Sequence, residues 1–367
     1  MSGAFVLYGW HLSYFTGKVR CYLHYKGIDF VDQPVDWWTL TRRIKRHTGA
    51  VVMPVLHTPQ GQWIQDSSVI IDRMEQQFPA RSVLPSTPVQ RFAAYLLEAW
   101  GDEWWVPIAM HTRWSYPENY ALFEREAGAA LLPHWPHWVR RKAVAYIANT
   151  LRGKLHAVGV RAPQTALLMQ WTTQMLDRLD AHFALHHYLL GGRPTLADFA
   201  LVGSMYGHLG RDPWPARVLV APRQHLRAWI DRMAKPPAAA TLQAELLAHD
   251  AVAPTLEPVF RAIFAEFVPL LEGIAQQVQA LAPHWPHGKP LPRSLGDVQV
   301  PLAGGSFARS ALPYTLWMAQ RVLDVYHAMP EAEQAQVAAW AQPLGGAPLL
   351  ALRLPRLEQR GLRVALA

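Results

Sequence analysis

Three short segments in a fixed order constrain what this chain can fold into. An apolar strand over Ala4–Tyr8 leads through a turn into a helix that starts near Tyr14. The dipeptide Met53-Pro54 precedes a short strand, a Pro-Gln-Gly-Gln hairpin and another short strand. Eleven residues after Pro54, the tripeptide Gln65-Asp66-Ser67 opens an amphipathic helix. This order predicts a domain of sheet and helices at the N-terminus.

Written out, the first segment is LYGWHLSYFTGKVRCYLHYKGI, and with the other two it resembles the N-terminal domain of a glutathione transferase, nearest to the zeta-like classes. The resemblance implies an α/β plus all-α fold class. We expect a thioredoxin-like domain with a mixed four-stranded sheet over 1–80, a helical transferase-type domain over 90–245, and a mainly helical extension over 250–367.

Ser13 falls on the thiol-activating position of the family, so the resemblance implies a catalytic role for it. Tyr14, Phe15 and Thr16 complete the turn and are expected beside glutathione. A hydroxyl at a helix N-terminus donates to a thiolate, and the helix amides and macrodipole favour the anion. A free thiol with a pKa of about 8.5 is mostly protonated at neutral pH, so lowering this pKa produces a nucleophile. Serine also caps helices well, so a capping role alone stays open.

Met53 and Pro54 are assigned by resemblance to the loop that faces this helix. Thioredoxin-like folds place a cis proline before their third strand, and the backbone of the preceding residue pairs with the cysteinyl part of glutathione. A trans proline that opens an edge strand is the alternative. The flanking segments favour the cis bond.

Gln65, Asp66 and Ser67 are expected to bind the γ-glutamyl end of glutathione. Ser67 with the helix amides suits a carboxylate, and Asp66 suits an ammonium group. The family usually carries glutamate or glutamine before its serine, so Asp66 is a shortened version. Asp-Ser before an apolar helix is also a common N-cap, which is the alternative role.

A basic cluster lies in TRRIKRHTG, directly before the proline loop, in a chain with a formal net charge of +8. Arg42, Lys45 and Arg46 are its candidates for steering the glycine carboxylate of glutathione. The other charges are dispersed, and the sequence has no zinc spacing, helix-turn-helix or RNA-binding signature, so no nucleic-acid partner is expected. A solvated basic face without a ligand stays open.

Aromatic residues are abundant, with 16 tryptophans, and several lie in EAWGDEWWVPIAMHTRWSYPENY. In the family, the second helix of the helical domain lines the pocket for a small hydrophobic electrophile. Trp105, His111, Arg113 and Trp114 are therefore candidates for an aromatic wall with polar anchors. Core packing between helices is an equally good role for any one of them.

Two further segments complete the reading of the chain. Thr195-Leu196-Ala197-Asp198 forms a capping box before an apolar helix, as in the buried helix of the family's helical domain. Beyond Asp250 the sequence is mainly helical, with a proline- and glycine-rich insert that could hold a short extended segment. This extension could cover the pocket, replace part of a dimer interface or form a third subdomain.

Composition and motifs also bear on cofactors and location. The string PHWPH occurs twice without a recognised ligand spacing, so no metal is expected. A single cysteine forbids internal disulfides and fits a reducing compartment. No run approaches the ~20 apolar residues of a membrane span, and MSGAFVLYGW does not resemble a signal peptide. We expect a cytoplasmic protein with a role in detoxification. Homodimerisation is the habit of the family, although the extension could block the usual interface.

The sequence thus favours an enzyme that transfers the glutathione thiolate to a hydrophobic electrophile. A thiol-disulfide oxidoreductase of the same fold would need a cysteine where Ser13 and Thr16 stand, and Cys21 lies farther along the helix. A non-catalytic binding or scaffolding protein of this fold is the main alternative, since the fold is reused in larger proteins.

Overall fold

A four-stranded sheet forms the N-terminal part of the protein, in a computed structural model that describes residues 4–367. Its strands are β1 (Phe5–Gly9), β2 (Phe30–Pro34), β3 (Val55–His57) and β4 (Trp63–Gln65). The order is β2-β1-β3-β4; β1 is parallel to β2 and antiparallel to β3, and β3 is antiparallel to β4. The predicted mixed sheet is therefore confirmed, together with its short hairpin.

The helices of this part are α1 (Tyr14–Lys26), α2 (Lys45–Thr48) and α3 (Ser67–Gln77), and a π-helical turn (Thr39–Ile44) precedes α2. Val19 and Leu23 of α1 are fully buried, as their spacing of four predicts for a face against the sheet. Gly27 ends the helix at φ 67°, in the left-handed region that glycine enters at no steric cost.

A buried carboxylate joins α1 to α3. Glu75 accepts from the Tyr22 hydroxyl at 2.7 Å, the Ser82 hydroxyl at 2.7 Å and the Val83 amide at 3.0 Å, and its Oε1 lies 2.8 Å from Lys26 Nζ. A buried charge is tolerated when it is paired and fully hydrogen-bonded. Because Glu75 belongs to α3 and its partners come from α1 and the loop after α3, this carboxylate fixes how these elements pack.

The next part of the chain is helical, as predicted. Proline begins α4, α6 and α10, where its missing amide hydrogen costs no helical hydrogen bond. The elements are α4 (Pro88–Glu103), α5 (Val106–Ser115), α6 (Pro117–Leu131), α7 (His137–Arg152), α8 (Thr165–Phe183), α9 (Leu196–Ser204), α10 (Pro213–Pro215), α11 (Gln224–Met233) and α12 (Ala239–Gln243), with π-helical turns at Met205–Leu209 and Ala216–Val220.

Residues beyond 250 add five helices and two hairpins within the described part of the chain. The helices are α13 (Glu257–Ala262), α14 (Val268–Leu281), α15 (Pro313–His327), α16 (Glu331–Ala341) and α17 (Ala347–Ala351). The strands are β5 (Asp297–Leu302), β6 (Gly305–Ser310), β7 (Leu357–Arg360) and β8 (Arg363–Leu366), paired β5-β6 and β7-β8. The first hairpin lies where the insert was expected to hold an extended segment, and the sequence analysis missed the second.

The chain forms two compact units. The first unit holds the chain up to Val83 with Ala109–Lys154 and Phe199–Gln243, and the second holds Leu84–Ile108, Leu155–Asp198 and Ala244–Ala367. This division differs from the predicted consecutive domains 1–80, 90–245 and 250–367, because helices of the predicted middle domain fall into both units. The consecutive division stays a prediction.

The extension is an integral part of the second unit. The carboxylate of Asp250 accepts from the backbone amides of Val89 and Gln90 at 2.8 and 2.9 Å, and so caps the first turn of α4. The hydroxyl of Thr315 donates to Glu103 at 2.5 Å. These contacts tie both ends of α4 to residues beyond 244.

The predicted capping box is present at the start of α9. The Asp198 carboxylate accepts from the Thr195 amide at 2.9 Å and from the Leu189 amide at 2.9 Å, and the Thr195 hydroxyl lies 3.1 Å from it. Thr195 and Asp198 are fully buried. The box therefore satisfies backbone groups that would otherwise be buried without partners.

His182 of α8 is a buried, neutral histidine in the second unit. Its Nε2 lies 3.2 Å from the Tyr188 carbonyl and its Nδ1 lies 2.7 Å from the Thr255 hydroxyl. Since a carbonyl only accepts, Nε2 carries the hydrogen and Nδ1 accepts from Thr255. Burial lowers the pKa of this ring from 6.5 to about 4.

This lowered pKa predicts a loss of stability in acid. The unfolded chain protonates His182 below pH 6.5, whereas the native ring stays neutral until about pH 4. The free energy of unfolding should therefore fall as pH falls through this window, with His182 contributing about 3 kcal/mol. Urea denaturation across this range should show a shallower fall for His182→Gln. The exposed His284→Gln should retain the full dependence, and an unchanged slope in His182→Gln would contradict the assignment.

Candidate functional site

The three segments singled out in the sequence meet at one end of the sheet. Tyr8 pairs with Val55, and Val55 pairs with Gln65. The end of β1, the start of β3 and the end of β4 therefore lie side by side. The loop that leads to Ser13 follows β1, and Met53 precedes β3, with a cis Met53-Pro54 bond as predicted.

Ser13 is the N-cap of α1, and its geometry allows a second role. Its Oγ accepts from the Thr16 amide at 3.3 Å, and the side chain is partly exposed. A hydroxyl has one hydrogen to donate besides its acceptor lone pairs. Among residues 4–367 no acceptor takes that hydrogen. Capping and donation to a ligand are therefore compatible at Ser13.

The first turn of α1 is held by the close approach of a glycine-containing segment of the same unit. A Cβ at Gly203 would lie 2.8 Å from the Tyr14 ring, and one at Gly207 would lie 3.2 Å from the Tyr14 Cα. The Tyr14 ring centroid also lies 5.7 Å from that of His208. Only glycine lets these backbones approach so closely, which fixes where α1 begins.

A cavity of about 500 Å³ opens beside this turn in the first unit. Five predicted site residues line it: Ser13, Tyr14, Met53, Arg113 and Trp114. The rest of the lining is mostly apolar: Trp10, Leu12, Trp37, Leu40, Thr41, Val51, Val52, Met110, Phe123, Tyr146, Ile147, Thr150, Leu151 and His208. Its size and character suit a small hydrophobic ligand.

Other predicted residues lie near this edge without lining the cavity. Thr16 is fully buried beneath the turn, and the Phe15 ring packs on Tyr14 at 4.7 Å. Arg42 and Lys45 are exposed, and Arg42 lies over the Trp38 ring at 5.5 Å. Pro54 is buried behind Met53.

The γ-glutamyl candidates form a tight turn into α3. Asp66 has φ 79°, and its Oδ1 accepts from the amides of Ser68 and Val69 at 2.9 and 3.3 Å. Asp66 therefore caps α3. Ser67 is 5% exposed, and Gln65 is partly buried at the end of β4.

A buried lysine beside this turn was missed from the sequence. Lys18 of α1 is fully buried, and its Nζ donates to the Ser68 hydroxyl at 3.1 Å. Its charge thus lies next to the start of α3. The helical pattern of α1 alone did not single it out, because its partner lies 50 residues away.

Arg113 has a different role from the one predicted. Its Nε and Nη2 donate to the Asp212 carboxylate at 2.9 Å each, Nη2 also donates to the Gly207 carbonyl at 2.6 Å, and Nη1 donates to the Leu12 carbonyl at 2.7 Å. The remaining Nη1 hydrogen faces His208 Nε2 at 3.3 Å. All five donors are thus committed, so Arg113 holds the cavity wall and is not a free anchor for a co-substrate.

Sequence reasoning did not find His208, which lines the cavity, or Asp212, which holds the Arg113 side chain in the wall. Burial, and then the neighbouring Arg113, lower the pKa of His208 well below 6.5, so its ring is neutral. Its Nε2 accepts from Arg113, which leaves Nδ1 to donate to the Ala109 carbonyl at 3.2 Å. Burial raises the pKa of the Asp212 carboxyl, and the Arg113 guanidinium opposes that rise. The only local signal for Asp212 in the sequence was the dipeptide Asp212-Pro213, which is typical of the start of a helix.

Trp105 and His111 do not line the cavity. Trp105 is fully buried in the second unit, with its ring 5.4 Å from Trp100 and 5.1 Å from Trp171. Trp105 lies in the turn between α4 and α5, and it is a core residue because buried aromatic rings surround its side chain. His111 is 8% exposed, and its Nδ1 lies 3.0 Å from the Ser115 hydroxyl.

Cys21 lies within α1 and is 3% exposed. Burial raises the pKa of its thiol to about 12. A thiol that stays protonated at neutral pH is a poor nucleophile. The described residues therefore give no support to disulfide exchange at Cys21.

Residues 4–367 contain no group of three or more His, Cys, Asp or Glu side chains placed to hold a metal ion. None of their helices is both long and apolar enough to cross a membrane.

Two segments of the chain match known domain families. Residues 7–82 match the N-terminal domain of glutathione S-transferases, and residues 154–237 match their C-terminal domain. The chain thus contains matches to both domains of glutathione S-transferases, and at 367 residues it is longer than is typical for that family. No curated protein matches it.

Several solved structures resemble this chain at low identity. A glutathione S-transferase from Rhodospirillum rubrum is 17% identical, with a TM-score of 0.40, over 68% of this chain and 96% of its own. The beta-etherase LigF from Sphingobium is 19% identical, with a TM-score of 0.42, over 66% of this chain and 98% of its own. A glutathione S-transferase from Methylobacterium radiotolerans, in complex with glutathione sulfonate, is 21% identical, with a TM-score of 0.37. The match covers 68% of this chain and 100% of that one. The likeness to glutathione S-transferases is therefore argued from the two domain matches alone.

The Arg113–Asp212 pair yields a prediction about stability. Arg113→Leu leaves the Asp212 carboxylate buried without its partner and should cost about 3–5 kcal/mol. Asp212→Leu should lower the free energy of unfolding by a similar amount, because it leaves the Arg113 guanidinium buried without its carboxylate partner. The double variant should cost clearly less than the two single changes together, as measured by urea denaturation.

The exposed pair Arg217–Glu118, with its Nη2 and Oε1 2.7 Å apart, is the matched control. Its double-mutant cycle should give a coupling of about 1 kcal/mol or less, since solvent screens exposed charges. Additive costs at Arg113 and Asp212 would show that their pairing does not stabilise the cavity wall.

Proposed function

We propose that this protein is a glutathione transferase-like enzyme that transfers the glutathione thiolate to a hydrophobic electrophile. One observation carries the proposal: the Ser13 hydroxyl, at the N-terminus of α1, has a hydrogen to donate and lines an apolar cavity beside Met53. This arrangement suits thiolate activation, and it lies within residues 7–82, which match the N-terminal domain of glutathione S-transferases.

In this proposal Ser13 lowers the pKa of the bound thiol by donating its hydrogen to the sulfur. The amides in the first turn of α1 and the helix macrodipole favour the same charge. The thiolate then forms a bond to the electrophilic atom, whose leaving group or π-electrons take up the displaced electron pair. Ser13 is the catalytic residue, because it touches the reacting sulfur.

The other predicted residues hold the tripeptide. The backbone of Met53, ahead of the cis Pro54, pairs with the cysteinyl part. Gln65, Asp66 and Ser67 receive the γ-glutamyl end at the start of α3. Tyr14, Phe15 and Thr16 shape the turn of α1, and Arg42 and Lys45 attract the glycine carboxylate by charge.

The electrophile occupies the 500 Å³ cavity. Trp114 and Tyr146 on its wall offer apolar surface, and Arg113 keeps the wall in place while its own donors are occupied. A dry wall favours a hydrophobic compound and strengthens the electrostatic interactions of the thiolate. We infer that the enzyme acts in the cytoplasm, in a detoxifying role.

A non-catalytic binding or scaffolding protein is the alternative, and the 130 residues beyond the second family match are the observation that favours it. Calorimetry with glutathione separates it from a transferase at the first step. Binding at millimolar concentration or below supports the transferase. An absence of heat at that concentration would leave the scaffold as the better account.

Substitutions at Ser13 test its role in catalysis separately from capping. Ser13→Ala loses both the cap and the donor and should lower the rate about 10²-fold or more, the scale of one lost oxyanion donor. Ser13→Thr keeps both and should retain most of the activity. Ser13→Asp keeps a good cap but has no hydrogen to donate, so it should be as slow as Ser13→Ala while remaining as stable as the unmutated protein. Turnover against a panel of electrophiles and thermal melting give the two readouts.

The glutathione dissociation constant should change far less than the rate in all three variants, because the backbone contacts of the tripeptide remain. An active Ser13→Asp enzyme would remove Ser13 from the mechanism and leave it a capping residue alone.

A further inference from the structure

The excess positive charge of the chain lies in two segments of the first unit. Residues 37–51 and 135–154 contain nine lysines and arginines and no aspartate or glutamate. The chain has 35 lysines and arginines and 27 aspartates and glutamates, so the residues outside these two segments contain 26 basic and 27 acidic side chains. We name these two segments the basic rim. The net charge of +8 is therefore a property of the basic rim and not of the surface at large.

The basic rim also holds most of the exposed aromatic surface. Ten large apolar side chains are exposed within the described residues 4–367, and six of them belong to the basic rim: Trp37, Trp38, Val51, Trp135, Trp138 and Tyr146. Trp38, Trp138 and Tyr146 are 65%, 63% and 71% exposed. Large rings so open to water are costly unless a partner covers them, so they mark an interaction surface.

The two segments border one cavity. Trp37 and Val51 from the first segment and Tyr146 from the second all line it, although each is at least 41% exposed. Side chains that are both lining and exposed lie at the mouth of a cavity. The basic rim therefore surrounds the entrance through which a ligand reaches Ser13.

Both sides of the rim carry the same local arrangement. Arg42 lies 5.5 Å from the ring of Trp38, and Lys142 lies 5.5 Å from the ring of Trp138. Each pair is spaced four residues apart, so cation and ring share one helix face. Only Val144 and Ala148 of the sixteen residues of α7 are buried, so most of this helix faces outward.

We propose that the basic rim docks on a bilayer that carries anionic lipid headgroups. Tryptophan and tyrosine prefer the boundary between headgroups and acyl chains, and lysine and arginine are attracted to an anionic leaflet. A helix with basic and aromatic side chains and little buried surface is suited to lie in that boundary. The cavity mouth then faces the lipid phase, where hydrophobic compounds concentrate.

The charge pattern favours a bilayer over two other occupants. A symmetric pair of rims would bring like charges face to face, because a two-fold interface joins identical patches. Of the cations in the rim, Arg141 is paired, with Glu124 at 3.7 Å. A nucleic-acid duplex would neutralise the charge but offers no apolar layer to cover six exposed rings and side chains.

The docking is tested on the full-length protein by cosedimentation with vesicles, independently of any transferase activity. Binding is expected to vesicles of equal phosphatidylcholine and phosphatidylglycerol, with little binding to phosphatidylcholine alone, and it should weaken as salt is raised. The variant Arg46→Glu/Arg141→Glu/Lys142→Glu should lower the partition coefficient at least about 100-fold, since each cation contributes several-fold.

The matched control, Arg293→Glu/Arg353→Glu/Arg363→Glu, makes the same change in net charge with exposed arginines of the second unit. It should bind like the unmutated protein. Equal weakening by both triple variants would overturn the proposal, because net charge alone would then explain binding.

A second variant tests the apolar component, and it removes only exposed rings. Trp38→Ala/Trp138→Ala should weaken binding about tenfold, whereas Leu185→Ala, a 72% exposed side chain outside the rim, should not. Rim-dependent binding to a double-stranded oligonucleotide without vesicle binding would overturn the proposal. So would a dimer that forms through the rim and leaves vesicles unbound.

Discussion

The guanidinium of Arg113 is the interaction on which the candidate site depends. It bonds to the Leu12 carbonyl, the Gly207 carbonyl and the Asp212 carboxylate, and it also faces His208. Leu12 directly precedes Ser13, so the position of that carbonyl determines where the cap of α1 lies. A lysine could not reproduce this, because its ammonium group has three donors and no planar fork.

This arrangement joins stability to chemistry within the first unit. The buried ion pair is costly to desolvate, yet it satisfies every donor of the guanidinium. His208 is kept neutral beside it and supplies an acceptor without adding a second charge. The result is a rigid, apolar cavity wall opposite a serine that keeps one hydrogen to donate. A hydroxyl preorganised in this way is suited to stabilise the negative charge of a bound thiolate.

Much of this was predictable from the sequence because the signals were local. The cap at Ser13, the cis bond at Met53-Pro54 and the Thr195–Asp198 box each depend on residues within a few positions of one another. The mixed sheet followed from the same segments and from the resemblance to a family. Local signals of this kind determine element types, and the predicted fold class was confirmed.

The wall of the cavity was harder to predict because its contacts join distant residues. Arg113 finds Asp212 across 99 positions, and Trp105 packs on Trp171 instead of facing a ligand. An arginine between tryptophans has the same local pattern whether it binds a substrate or a carboxylate. The grouping of residues beyond 244 with α4 likewise rests on long-range contacts such as Asp250 with Val89.

The net charge of the chain became informative only when the structure showed where the basic residues lie. A net charge of +8 spread over the surface would indicate little beyond solubility. Gathered in residues 37–51 and 135–154, around the mouth of a cavity with exposed Trp38 and Trp138, the same charge indicates a defined partner. The cavity and the rim together suggest that ligands arrive from an apolar phase.

The central claim is that Ser13 stabilises a thiolate at the N-terminus of α1. The most direct measurement is a pH titration of the ultraviolet thiolate absorbance of protein-bound glutathione, in the unmutated chain and in Ser13→Ala. The account predicts a bound-thiol pKa well below the free value of about 8.5 in the first, rising toward that value in the second. A bound thiol that titrates at the free value in the unmutated chain, or a lowered pKa that survives in Ser13→Ala, would contradict it.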